Sequence, residues 1–137
     1  MMVCVGNICR SPMAEALLQD SRPGLNVYSS GIGALAGKPA DPIATQLMAD
    51  KGIDLSKHVA QQINSLLVTK ADLILVMENS HINSIRSNYP AARGKVYLIG
   101  KWENDMQIAD PYKRGEKAFE NAMSDIETGL NAWLNKL

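Results

Sequence analysis

The sequence predicts an α/β fold built on a parallel sheet, and three observations carry that prediction. Short apolar runs alternate with stretches of helical periodicity, the pattern of successive βαβ units. The first run ends at Cys4 and passes through a tight loop, Cys4-Val5-Gly6-Asn7-Ile8-Cys9-Arg10-Ser11-Pro12, into an amphipathic segment. Of 137 residues, 46% are hydrophobic and 20% charged, which suits one core and a single domain over 1–137.

Each element has its own signal. Met2-Val3-Cys4 reads as the end of a buried strand one. Only three residues precede Cys4, against about five or six in an average strand. Either strand one is short or the natural start lies upstream. Helix one spans about Ser11 to Ser21, with Ser11 as cap, Pro12 at its first position and an apolar face from Met13, Ala14, Ala16, Leu17 and Leu18. Leu25 to Ser29 reads as strand two, and Ser30 to Gly37 as a glycine-rich loop. Asp41-Pro42 opens a second helix that ends near Lys51-Gly52. Leu55 to His58 is irregular, and a short helix covers Ile63 to Thr69. Asp72 to Met77 is the clearest buried strand. A helix from about Ser80 to Asn88 leads to strand four, Val96 to Ile99. Ala118, Phe119, Ala122, Met123, Ile126, Leu130, Trp133, Leu134 and Leu137 recur at helical spacing and mark a last helix packed on the sheet.

Composition narrows the function. Lys plus Arg is 14 and Asp plus Glu is 14, so no basic excess points to nucleic acid. Any anion selectivity must be local. No apolar run approaches the roughly 20 residues of a membrane span, so no membrane insertion is expected. Two cysteines do not make a disulfide framework, and a reducing, cytoplasmic location is the expectation. Cys4, Cys9, His58 and His81 have no zinc-binding spacing, and no metal or other cofactor is expected.

The loop carries the chemistry. Cys-x5-Arg-Ser puts a thiol at one end of a short turn and a planar guanidinium at the other. Gly6 permits positive φ and Asn7 tolerates the left-handed region, so the chain can curl until the N–H groups of Val5, Gly6, Asn7, Ile8, Cys9 and Arg10 face one anion. Such a nest at a helix N-terminus favours phosphate, and it favours the thiolate form of Cys4. Arg10 can grip two phosphoryl oxygens at once, and a Ser11 hydroxyl near the sulfur would steady it as nucleophile or leaving group. A lone Cys-x5-Arg arises by chance in many chains, and most free cysteines are small buried hydrophobes. The strand, the Gly-Asn loop, Arg-Ser-Pro and the helix together favour catalysis. A thiolate attacking phosphorus needs an acid for the leaving group, and Asp110 in Ala109-Asp110-Pro111-Tyr112 is the candidate. An isolated Asp-Pro is usually a turn; the waiting Cys-Arg loop gives this one a role. Open parallel sheets bind ligands beyond the carboxyl ends of their strands, so Cys4, the Ser30 loop, Met77-Glu78 and the segment after Ile99 should share one rim.

Val3 to Pro12 together with Asp110-Pro111-Tyr112 resembles the low-molecular-weight protein tyrosine phosphatases. Ser30-Gly31, Ser56-Lys57-His58, Met77-Glu78 and the final helix fit along the whole chain. The Gly-Lys-Trp stretch at Trp102 is similar to the bacterial type paired with tyrosine autokinases of capsule and exopolysaccharide export. The resemblance implies a three-layer αβα fold with a four-stranded parallel sheet in the order 2-1-3-4 and helices on both faces. It implies a monomer that hydrolyses phosphotyrosine through a phosphocysteine at Cys4. Arg10 would bind the phosphoryl oxygens, and Asp110 would serve as acid and then base. Ser11 would bond the sulfur, and Ser30 and His58 would hold Asn7. Ile8, Leu35 and Tyr112 would wall the substrate ring, Leu35 standing where many relatives place an aromatic residue. Lys113-Arg114 reads as solvated surface. A reversible Cys4–Cys9 disulfide would guard the nucleophile against overoxidation.

Two rivals remain at this point. An arsenate reductase on the same fold needs further cysteines, and none follows Cys9. A phosphate- or phosphopeptide-binding module would need neither a thiolate nor an acid. A nucleotide-binding loop lacks its Gly-Lys-Ser/Thr.

Overall fold

The computed structural model describes residues 1–137. Four short strands lie at its centre, β1 (Met2–Cys4), β2 (Ser29–Gly31), β3 (Ile74–Val76) and β4 (Val96–Leu98). They pair in parallel in the order β2-β1-β3-β4, the order the resemblance implies. Between and after them run α1 (Arg10–Ser21), α2 (Pro42–Asp50), α3 (Ser65–Lys70), α4 (Asn79–Asn88) and α5 (Glu116–Leu134).

Strand alternation sorts the core into two layers. Met2, Cys4, Leu75 and Met77 point to one face, where Met13 and Leu18 of α1, Met48 of α2 and Phe119, Ile126 and Trp133 of α5 cover them. Val3, Ile74, Val76, Val96 and Leu98 point to the other, against Val68 of α3 and Ile85 of α4. This is the period-two rule for a sheet buried on both sides. α5 comes close enough that a Cβ on Gly129 would stand 2.7 Å from the Ile99 carbonyl oxygen. No helix is long and apolar enough to cross a membrane.

Several boundaries differ from the sequence reading. Strand two is Ser29–Gly31 rather than Leu25 to Ser29. The Gln19 side chain donates to the Leu25 carbonyl and accepts from the Val27 N–H, so this lead-in is tied to α1 and not to the ladder. Ser30 and Gly31 therefore belong to the strand rather than to the loop. α1 starts at Arg10, and Ser11 lies inside its first turn without capping it. Asp41 does cap α2, accepting from the Ile43 N–H at 2.9 Å. Leu137 lies beyond α5 and is exposed.

Candidate active site

The loop between β1 and α1 owes its shape to where its carbonyls go. The Cys4, Val5 and Gly6 carbonyls accept from the N–H groups of Ile32, Gly33 and Leu35, each at 3.0 Å. The Asn7 carbonyl accepts from His58 Nε2 at 2.7 Å, and the Ile8 carbonyl from the Asp41 N–H at 2.8 Å. Five successive carbonyls are thus turned outward and satisfied. The peptide N–H groups of the same units turn inward, forming an anion nest that leads into the N-terminus of α1. Gly31 makes the bracing possible, because a Cβ there would collide with the Val5 carbonyl.

Asn7 is the hub of the loop. Its φ is 58°, so the left-handed residue is Asn7 and not Gly6, which keeps negative φ. Its backbone N–H points at Cys4 Sγ at 3.3 Å. Its side-chain Nδ2 donates to Ser11 Oγ at 2.8 Å and to Ser29 Oγ at 3.0 Å, while Oδ1 accepts from the Gln61 N–H at 2.9 Å. Every polar group of this buried side chain is paired, which offsets the cost of the left-handed backbone. Ser29 passes its own proton on to Glu15 Oε1 at 2.6 Å.

The side-chain partner of Asn7 is therefore Ser29, and not Ser30 as the resemblance implies. Ser30 Oγ sits 3.3 Å from Met1 Sδ on the opposite face. Ser29 pairs with Met2 and Ser30 with Val3, and successive residues of a strand present opposite faces. His58 holds Asn7 through its backbone carbonyl. A carbonyl only accepts, so His58 Nε2 carries the proton.

Ser11 Oγ lies 2.9 Å from Cys4 Sγ. Because Asn7 donates to that same oxygen, the hydroxyl proton is free to point at the sulfur. Cys9 is buried beside the loop; burial first, and then Asp41, push its thiol far up, so it remains protonated.

Arg10 is almost wholly enclosed, at 1% exposure. Its Nη1 donates to Glu78 Oε2 and to the Ile108 carbonyl, both at 2.7 Å. Nη2 lies 3.8 Å from Asp110 Oδ2. One edge of the guanidinium is anchored, which leaves Nε and Nη2 for an anion in the nest. Glu78 follows β3, and Ile108 and Asp110 belong to the segment after β4, so the rim expected at the carboxyl ends of the strands does form.

Cys4, Val5, Gly6, Ile8, Cys9, Arg10, Gly33, Leu35, Asp110 and Tyr112 line one cavity of about 180 Å³. Asp110 is half-exposed at its mouth and accepts from the Tyr112 N–H at 3.1 Å, which fixes the turn. Leu35 and Tyr112 are both exposed at the rim. Trp102 lies edge-on to Trp133, away from this cavity. Sequence reasoning gave no role to Glu15, Ser29, Gln61, Glu78 or His81. Of these only Glu78 carried a signal, its place just after a strand.

The chain matches known proteins along its whole length. Residues 1–137 match the family described as low molecular weight phosphotyrosine protein phosphatase. The chain is 51% identical over its whole length to a probable low molecular weight protein-tyrosine-phosphatase, EpsP of Ralstonia nicotianae, and spans 94% of it. It is 44% identical to the low molecular weight protein-tyrosine-phosphatase Wzb of Escherichia coli, again over the whole chain and 93% of the relative. The solved structure of Vibrio vulnificus Wzb in complex with benzylphosphonate superposes with a TM-score of 0.95 at 43% identity, covering 99% of this chain and 96% of that one. With a Cys-x5-Arg nest, an Asp-Pro segment at its mouth and these relatives spanning its length, the chain belongs to the low molecular weight protein tyrosine phosphatases.

Proposed function

We propose that the protein hydrolyses phosphotyrosine in proteins through a phosphocysteine at Cys4. The reading rests on one observation above all: the sulfur, the outward-braced loop, Arg10 and Asp110 border a single cavity. The phosphoryl group of the substrate sits in the nest, with its oxygens on the loop N–H groups and on Nε and Nη2 of Arg10. The Cys4 thiolate attacks phosphorus, and the bond to the phenolic oxygen breaks. Asp110 gives its proton to the departing phenolate. The carboxylate then takes a proton from water as that water attacks phosphorus, inorganic phosphate leaves, and Cys4 is released as thiolate, steadied by Ser11. Positive charge for the transition state comes from Arg10 and the loop dipoles.

Ile8, Leu35 and Tyr112 border the space a phenyl ring would occupy above the nest. Tyr112 is the aromatic wall and Leu35 an aliphatic one. The physiological substrate in this reading is a tyrosine autokinase of capsule or exopolysaccharide export, the partner implied by the bacterial type the motifs resemble.

The test is hydrolysis of an aryl phosphate with a chelator present, comparing wild type with Cys4→Ser. Turnover that survives the chelator and vanishes in the variant supports the reading. No turnover by folded, reduced wild type would favour a phosphate-binding module instead.

A further inference from the structure

The stretch Gly31-Ile32-Gly33-Ala34-Leu35-Ala36-Gly37 has no polar side chain, and three of its seven residues are glycine. It cannot tie down its own backbone through side-chain turns, and its glycines give it wide freedom. Yet it has two duties at the cavity. The N–H groups of Ile32, Gly33 and Leu35 brace the nucleophile loop. Leu35 also stands directly over Gly6, where a Cβ would lie 3.9 Å from the leucine side chain. Order in this stretch therefore has to come from outside it.

The segment after His58 supplies that order. On the far arm the tie is backbone: the Gly37 N–H donates to the Ala60 carbonyl and the Ala60 N–H to the Lys38 carbonyl, both at 2.9 Å. On the near arm it is one side chain. Gln62 Nε2 donates to the Ile32 carbonyl at 2.6 Å, and Gln62 Oε1 accepts from the Ala34 N–H at 2.8 Å. A single amide thus satisfies the two backbone groups on either side of Gly33, as one residue of a neighbouring parallel strand would. No other side chain bonds to residues 32–38. The Gln62 backbone itself is bridged in parallel to Gly31, which gives the amide a fixed base.

We propose that Gln62 is a positioning residue for aryl selectivity: its side-chain amide, bonded on both sides of Gly33, holds Leu35 where it walls the phenyl ring of the substrate. The proposal rests on the phosphatase reading above. The nest has braces that Gln62 does not touch, His58 on the Asn7 carbonyl, the Asp41 N–H on the Ile8 carbonyl and the side-chain bonds of Asn7. Leu35 is tied to the nest by its own N–H alone, at 3.0 Å from the Gly6 carbonyl oxygen. Loss of the Gln62 amide therefore loosens the wall before it loosens the anion seat. Gln62 is exposed, so its replacement leaves the core intact.

The test compares wild type, Gln62→Met, Leu35→Ala and the double variant. Met keeps the length of the side chain and removes both hydrogen bonds. Affinities for inorganic phosphate and for benzylphosphonate are read from protection of Cys4 against iodoacetate, with kcat and KM measured on phenyl phosphate. Gln62→Met should weaken benzylphosphonate about fivefold, the worth of one net hydrogen bond, and leave inorganic phosphate within about twofold. KM should rise by a similar factor with a smaller fall in kcat. In the Leu35→Ala background the same replacement should change benzylphosphonate by less than about twofold, because the wall it held is gone. Equal weakening of both anions, no weakening of either, or a full loss that persists without Leu35 overturns the proposal. If Gln62→Met does not fold, hydrogen exchange of wild type decides. Protection of the Ala34 amide that rises with benzylphosphonate more than with phosphate supports it, and equal protection with either anion overturns it. Both anions are read without turnover. Wild type that binds them as expected but leaves phenyl phosphate intact would remove the phosphatase reading alone, and wild type that binds neither would overturn both.

Discussion

Asn7 Nδ2 donates to Ser29 Oγ at 3.0 Å, and through that bond the middle of the nucleophile loop is tied to β2. Ser29 hands its own proton to Glu15 on α1, so three elements meet at one hydroxyl. Ser29→Ala leaves the buried Asn7 amide short of an acceptor. It should lower kcat/KM on an aryl phosphate by about tenfold, the cost of an unpaired buried donor. Ser30→Ala, on the opposite face of the strand, should stay within about twofold. Equal losses in the two variants would contradict the assignment of Asn7 to Ser29.

Asp110 stands at the cavity mouth with its carboxylate 3.8 Å from Arg10 Nη2, in reach of a leaving oxygen above the nest. General acid help matters most when the leaving group is basic. Asp110→Asn should reduce kcat on phenyl phosphate by about a hundredfold and on a nitrophenyl ester by clearly less. A variant that keeps the full rate on phenyl phosphate would remove Asp110 from the mechanism.

Cys4 and Cys9 are both free and both buried, yet their chemistry should differ. Burial, and then the nearby Asp41 charge, keep the Cys9 proton in place well above neutral pH. Iodoacetamide at neutral pH should therefore label Cys4 and spare Cys9, with phosphate protecting Cys4. Peroxide should convert Cys4 to the sulfenic acid, which Cys9 attacks with loss of water to give a disulfide. Mass mapping that finds labelled Cys9, or peroxide-treated protein with sulfinic Cys4 and no Cys4–Cys9 bond, would refute one or other half of this prediction.

Buried His81 leaves a mark on stability. Its pKa in the folded chain is lowered by burial and by Arg10, below the ordinary value of 6.5. As pH falls through about 6.5, the unfolded chain binds the proton before the folded one does. The contribution is fully present above that value and is lost as pH drops towards the folded pKa. The urea midpoint of wild type should decline as pH falls below about 6.5, and His81→Gln should decline less steeply. Parallel curves for the two proteins would show that His81 takes up its proton equally readily in both states.

The sequence determined the fold class and put forward the candidate reacting groups. Alternating apolar runs and helical periodicities identify a parallel α/β sheet, because each depends on local spacing alone. Cys4, Arg10 and the Gly-Asn turn between them are legible for the same reason: one short loop contains them. Asp110 could be picked out because the loop's chemistry demanded an acid and a distant Asp-Pro supplied one. The tertiary structure decided everything that depends on which face a residue presents. Ser29 rather than Ser30 meets Asn7 because a one-residue shift in a strand reverses the side chain. Ser11 serves the sulfur rather than the helix cap because α1 begins two residues earlier than its cap signal suggests. Glu78 and His81 stand behind Arg10 only because β3 lies beside β1 in the sheet, and a pairing between strands some seventy residues apart leaves no trace in local spacing.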